Sequence, residues 1–186
     1  MLQQKISIMK KVLTPRFIFI TTAILVAAIS RLFPHIPNFT PIAAMALFGG
    51  VYLNDKRLAI IVPLIAMVIS DSLIQLTTGW GFHNTIGYVY ASFVLTSIIG
   101  LYVRRNTNVL TIITASVASS VLFFIITNFG VWAASGMIGG AAGLGTTYTL
   151  GIPFFAPTLL GDVFFNAILF GAFYLAQRRI PALIKA

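Results

Sequence analysis

The sequence predicts an all-α membrane protein: a compact bundle of six transmembrane helices with both termini cytoplasmic. Three observations carry that prediction. The chain is 59% hydrophobic and only 8% charged, against roughly 25% charged residues in a soluble domain, so it has too little to face water with. Its apolar residues fall into six runs separated by short polar or Pro/Gly-rich connections. When those runs are threaded alternately across a bilayer, eleven of the twelve Lys and Arg residues collect on one side, as basic residues do on the cytoplasmic side.

The elements follow in order. Lys5, Lys10, Lys11 and Arg16 precede the first run, 17–29. That arrangement opens like a signal peptide, but Ser30-Arg31-Leu32-Phe33-Pro34 is a poor cleavage site, so the first helix is retained. Pro34, Pro37 and Pro41 make 32–40 an irregular or re-entrant connection. The second run, 41–53, opens on Pro41, which suits a helix's first turn, and is short for a bilayer core of ~30 Å. Asn54-Asp55-Lys56-Arg57 is a polar turn, and the third run, 58–76, carries Pro63 and Asp71. A turn at 77–84 holds Trp80 and His83, and the fourth run, 86–103, stops at Arg104-Arg105. The fifth, 109–132, is the longest. The Gly-, Ala- and Thr-rich stretch 133–151 reads as a flexible loop, and the sixth run, 153–176, stops at Arg178-Arg179. The organisation is thus a basic cytoplasmic N-terminus over 1–16, one transmembrane domain over 17–179 and a short cytoplasmic tail over 180–186.

Several chemistries are excluded or disfavoured. The net charge of +9 is membrane topology rather than a nucleic-acid surface. The chain has no cysteine, so it has neither disulfides nor thiolate metal sites. Gly139-Gly140-Ala141-Ala142-Gly143-Leu144-Gly145 lacks the Gly-Lys-Ser/Thr ending of a phosphate loop. His35 and His83 are isolated loop histidines. No cofactor and no metal site is expected.

The remaining polar residues share a depth. At a rise of ~1.5 Å per residue, Arg31, Asn38, Asp71, Asn128, Trp132 and Asp162 all fall in the outer half, below Trp80 and His83 in the outer loops. Intramembrane carboxylates face a partner or a water-filled site. The reading is therefore an outer pocket for a small molecule, formed by these eight residues. Arg31 pairs with an acid or an anionic substrate group, Asn38 and Asn128 hydrogen-bond, and Trp132 stacks. Bland alternatives stay open: an aspartate that merely neutralises Arg31, an interhelical bond from Asn128, and tryptophans of an interfacial belt. Two aspartates also resemble those of aspartyl intramembrane proteases, which share a proton. However, Leu159-Leu160-Gly161-Asp162 lacks the first glycine of that motif and Ser70-Asp71 lacks its tyrosine, so an enzyme is not expected. A structural or assembly protein is the third class. Ala23 and Ala27 form a small-residue face on the first helix that either packs within the bundle or docks a partner subunit.

The string from Arg31-Leu32-Phe33-Pro34-His35-Ile36-Pro37-Asn38-Phe39-Thr40-Pro41 to Phe48-Gly49-Gly50 resembles an uncharacterised bacterial membrane family. So do Ser70-Asp71, Thr127-Asn128-Phe129-Gly130-Val131-Trp132, Pro153-Phe154-Phe155 and Gly161-Asp162. In size and layout that family resembles the substrate-binding (S) components of energy-coupling factor vitamin transporters. The resemblance implies a protein of the bacterial cytoplasmic (inner) membrane that binds a vitamin or related micronutrient near its outer face. It further implies a partner transmembrane subunit and two ATPases, docked through an Ala-xxx-Ala face that maps onto Ala23 and Ala27. Some solitary members of that class bind cobalamin through a cysteine, a ligand absent here.

Overall fold

The computed structural model describes residues 13–34, 36–134 and 141–184. His35, residues 135–140 of the glycine-rich stretch, Lys5, Lys10, Lys11 and Lys185 lie outside the described residues. Among the described residues six α-helices follow one another: α1 Pro15–Ser30, α2 Ile42–Tyr52, α3 Lys56–Thr78, α4 Ile86–Val103, α5 Val109–Ala134 and α6 Ala141–Arg179. A 3-10 turn, Pro181–Leu183, follows α6, and there is no strand among the described residues. Local chemistry sets several of these bounds. Thr14 Oγ1 accepts the Phe17 N–H at 3.1 Å, with Pro15 at the first helical position. Asp55 Oδ1 accepts from the Arg57 and Leu58 N–H groups at 2.7 and 3.0 Å, and Gly79 ends α3 at φ 76. Asn108 Oδ1 takes the Thr111 N–H at 2.7 Å.

Four helices, α3 to α6, are long and apolar enough to cross a membrane, and this is a membrane protein. The distribution of side chains agrees. Ile18, Val26, Ile61, Ile65, Ile113 and Leu160 are exposed, while Ser92, Thr96, Ser97, Ser116, Ser119 and Ser120 are buried. Small and hydroxylated residues inside, with branched apolar ones outside, are what helix packing in lipid favours.

The shortest helix is the centre of the bundle. Residues 43–51 of α2 are all buried, and α2 packs against all five other helices. Glycines make this possible: a Cβ on Gly50 would fall 2.3 Å from the Ser97 carbonyl oxygen and 2.8 Å from Gly100 Cα, so α2 and α4 cross backbone to backbone. Eleven residues amount to only ~16 Å of helix, about half a bilayer core.

Side-chain contacts sort the helix ends. Arg16 donates to the carbonyls of Leu183 and Tyr52 at 3.0 and 3.3 Å and lies over the rings of Tyr52 and Phe173. Arg104 donates to the Asn54 carbonyl at 3.3 Å. The start of α1 and the ends of α2, α4 and α6 therefore share one end of the bundle, together with Lys56, Arg57, Arg105, Arg178 and Arg179. We call this the basic end. Arg16 sits inside α1 and Leu183 is buried, so both residues near the expected domain edges pack onto the bundle.

One expectation is corrected. The stretch read as a flexible loop is helical from Ala141 onward. The Gly- and Thr-rich composition suggested irregular chain, but the segment is anchored along α5. Tyr148 Oη donates to the Ile125 carbonyl at 2.7 Å, and the Phe124 ring meets Tyr148 and Phe155 at 5.8 and 5.2 Å. Pro153 and Pro157 lie inside α6, as membrane helices tolerate when neighbouring helices take up the freed backbone groups.

Candidate functional site

Arg31 follows the last turn of α1 and reaches across to α3. Its Nη1 forms an ion pair with Asp71 Oδ1 at 2.7 Å, donates to Ser70 Oγ and lies 3.4 Å from Met67 Sδ. From α4, Tyr90 Oη donates to Asp71 Oδ2 at 2.8 Å. The exposures of Arg31 and Asp71 side chains are 11% and 4%. The network thus ties α1, α3 and α4 together at the end opposite the basic one, and no formal charge within it is left alone.

A cavity of about 180 Å³ opens beside this network. Arg31, Asn38, Asp71, Trp80 and His83 line it, with Ile42, Met67, Ile74 and Phe123 among the apolar wall residues. Asn38 reaches the rim from an exposed turn, at φ 64, a conformation asparagine tolerates better than most residues. Trp80 and His83 come from the connection after α3, which folds back along that helix. A Cβ on Gly81 would fall 1.9 Å from the Asp71 carbonyl oxygen, so only glycine allows this approach. Gln75 Oε1 holds the fold-back by accepting the Phe82 N–H at 3.0 Å. Trp80 is 79% exposed, and His83 Nδ1 lies 2.9 Å from Thr85 Oγ1.

Three of the expected site residues lie elsewhere. Asn128 turns back on its own helix, donating from Nδ2 to the Phe124 carbonyl at 2.8 Å, and its Oδ1 fills the space that Gly151 leaves on α6. The Trp132 ring packs at a tilt against Phe129, with centroids 5.4 Å apart. Neither lines the cavity. Asp162 is 2% exposed and is the cap of α2. The N–H groups of Ala43 and Ala44 donate to its carboxylate, and Ser120 Oγ donates to its Oδ2 at 2.6 Å. Pro41, the residue at the start of α2, makes no side-chain capping bond, so an acid from another helix supplies it. Gly161 completes the seat. A Cβ there would meet Thr40 N at 3.0 Å and Phe39 Cα at 3.1 Å, while the Phe39 ring packs on Phe164 and Phe165. Gly161-Asp162 therefore builds the foundation of the connection at Phe39-Thr40 and of the start of α2.

Ala27 is buried and Ala23 half-buried. Both line an almost wholly apolar groove of about 780 Å³ between α1 and α6. Among the described residues no three His, Cys, Asp or Glu side chains come together as metal ligands would.

Residues 11–183 match a family of unknown function (DUF6580). The chain belongs to this family. No curated protein and no solved structure matches it. In this DUF6580 member the match covers the cavity, the Asp162 cap and all six helices. The sequence reading missed Tyr90, Ser70 and Ser120, the neutral groups that complete the two carboxylate networks. Ser116 and Ser120 stand one turn apart on α5, as Asp162 and Asn166 do on α6. That matched spacing was the available signal.

Proposed function

We propose that this protein captures a small polar solute at the outer face of a bacterial cytoplasmic membrane, for uptake, as an energy-coupling factor S component does. One observation carries the reading: five polar residues from three separate stretches, Arg31, Asn38, Asp71, Trp80 and His83, line one cavity at the end away from the basic residues. With the basic end cytoplasmic, both termini are inside, the chain crosses six times, its second crossing completed by the connections that flank the short α2, and the cavity faces out. Arg31 and Asp71 offer a cation and an anion to a zwitterionic or hydrogen-bonding solute, and Trp80 offers a stacking face. The cavity's 180 Å³ holds about six waters and is below the ~300 Å³ at which drug-sized ligand sites begin. A vitamin-sized solute therefore needs the connection carrying Trp80 and His83 to lift. The groove at Ala23 and Ala27 suits a helix of an energy-coupling transmembrane subunit, which would link the protein to its ATPases.

The test is native mass spectrometry of protein extracted gently from its own membrane, followed by thermal unfolding with a panel of vitamins and amino acids. Retained solute, or a stabilising panel member whose effect disappears in Trp80→Ala, supports capture. An empty protein indifferent to the whole panel overturns it.

A second reading has its own observation. The 2.7 Å ion pair, closed by Tyr90 and Ser70, is what a purely structural protein would hold. Under that reading the double variant Arg31→Met/Asp71→Leu stays folded and nothing binds to either form. A shared-proton aspartyl hydrolase is not proposed, because Asp71 and Asp162 are engaged by different partners in different networks.

A further inference from the structure

Asn166 lies one turn along α6 from Asp162, toward the basic end, and is 4% exposed. Its Nδ2 donates to Ser116 Oγ at 2.9 Å. Its Oδ1 is buried and finds no hydrogen-bond partner among the described residues. Buried carbonyl acceptors are normally satisfied, since an unmade bond forfeits the whole cost of desolvation. Asn166 and Ser116 lie in the wall of a groove of about 660 Å³ between the basic halves of α5 and α6, whose other polar residues are Tyr52, Thr107, Asn108 and Tyr174. That volume lies within the ~300–1,000 Å³ of small-molecule sites. The rest of the wall is mainly apolar, including Ile112, Val163 and Phe170, and no charged residue lines it among the described residues. Gly171 contributes open space, because a Cβ there would meet nothing within 4 Å.

We propose that this groove is a second binding site, for a small neutral amphiphile whose hydroxyl or amide N–H donates to Asn166 Oδ1 while its apolar body lies along α5 and α6. Neutrality follows from the uncharged wall, and the donor from the unused acceptor. A lipid acyl chain satisfies the wall but not the amide. The site shares no lining residue with the cavity at Arg31 and does not rest on the capture reading.

The experiment is photolabelling of the full chain in lipid nanodiscs with a diazirine-bearing octanol, read by peptide mass spectrometry. Labelling should concentrate on 109–116 and 163–174. It should fall about five-fold in Asn166→Leu, the effect of losing one neutral hydrogen bond. Excess 1-octanol should compete, and its methyl ether, which lacks the donor, should not. Gly171→Phe, which fills the groove and leaves Asn166 and Ser116 intact, should also abolish the labelling. The proposal is overturned if folded Asn166→Leu labels like the wild type, if the ether competes as well as the alcohol, or if labelling is spread evenly over the lipid-facing surface.

Discussion

Asp71 and Asp162 are the same residue at nearly the same burial, and the bundle uses them in opposite ways. Asp71 meets a cation: Arg31 at 2.7 Å, with Tyr90 on its other oxygen. Asp162 meets no cation among the described residues; a hydroxyl and the N–H groups at the start of α2 face it instead. A helix N-terminus carries about half a positive charge and unsatisfied donors, so each carboxylate has a positive counterpart, one a side chain and the other backbone. An intramembrane acid therefore marks a demand for compensation, and only its partner says whether the place is a site or a joint. Asp71 borders a cavity. Asp162 is sealed.

Removing one partner at a time sharpens that difference. Arg31→Met leaves a buried carboxylate without its cation and should cost about 3–5 kcal/mol of stability. Replacing both charges, Arg31→Met with Asp71→Leu, should recover most of it, as measured by chemical denaturation in detergent. A double variant no better than the single one would mean that the pair is not coupled. Asp162→Ala should cost about 2–6 kcal/mol, since two buried N–H groups lose their acceptor at roughly 1–3 kcal/mol each. Its signature is faster hydrogen exchange at Ala43 and Ala44, which Arg31→Met should leave alone. Gly100→Ala forces apart the α2–α4 crossing and should cost about 1–3 kcal/mol, whereas Gly171→Ala, facing open space, should cost nothing measurable.

The smallest effect belongs to the third acid, outside the membrane-spanning segments. Hydrogen bonds from the Leu58 and Arg57 N–H groups hold the exposed Asp55 carboxyl below its ordinary range. A depressed folded pKa contributes stability above the unfolded value of about 3.9, and the contribution is lost as pH falls through the folded pKa. Acid titration of stability should show this small loss in the wild type. Asp55→Ser keeps a cap but cannot titrate, so it should lack that component.

The helices were legible because each apolar run and most caps are local. Asp55 and Gly79 bracket α3 in the sequence as they do in the bundle. Height along the bundle was legible too, since a fixed rise converts sequence position into height. Direction around each helix was not. Asn128, Trp132 and Asp162 were grouped with Arg31 by height, but which way each one faces depends on neighbours distant in sequence: Gly151 for Asn128, and Ala43 and Ala44 for Asp162. The early start of α6 was missed for the same reason, because the partner that holds Tyr148 is the Ile125 carbonyl on another helix.

The borrowed cap of α2 also bears on how the chain is made. Ile42 and Asp162 are 120 positions apart (162 − 42), and at ~5–20 residues per second the ribosome needs about 6–24 s to cover that distance. During that interval the central helix exists without the carboxylate that completes it. Until then the Ala43 and Ala44 N–H groups lack the acceptor that Asp162 gives them. α6 thus completes the start of α2, and a chain stopped before Asp162 would expose an unfinished centre to quality control.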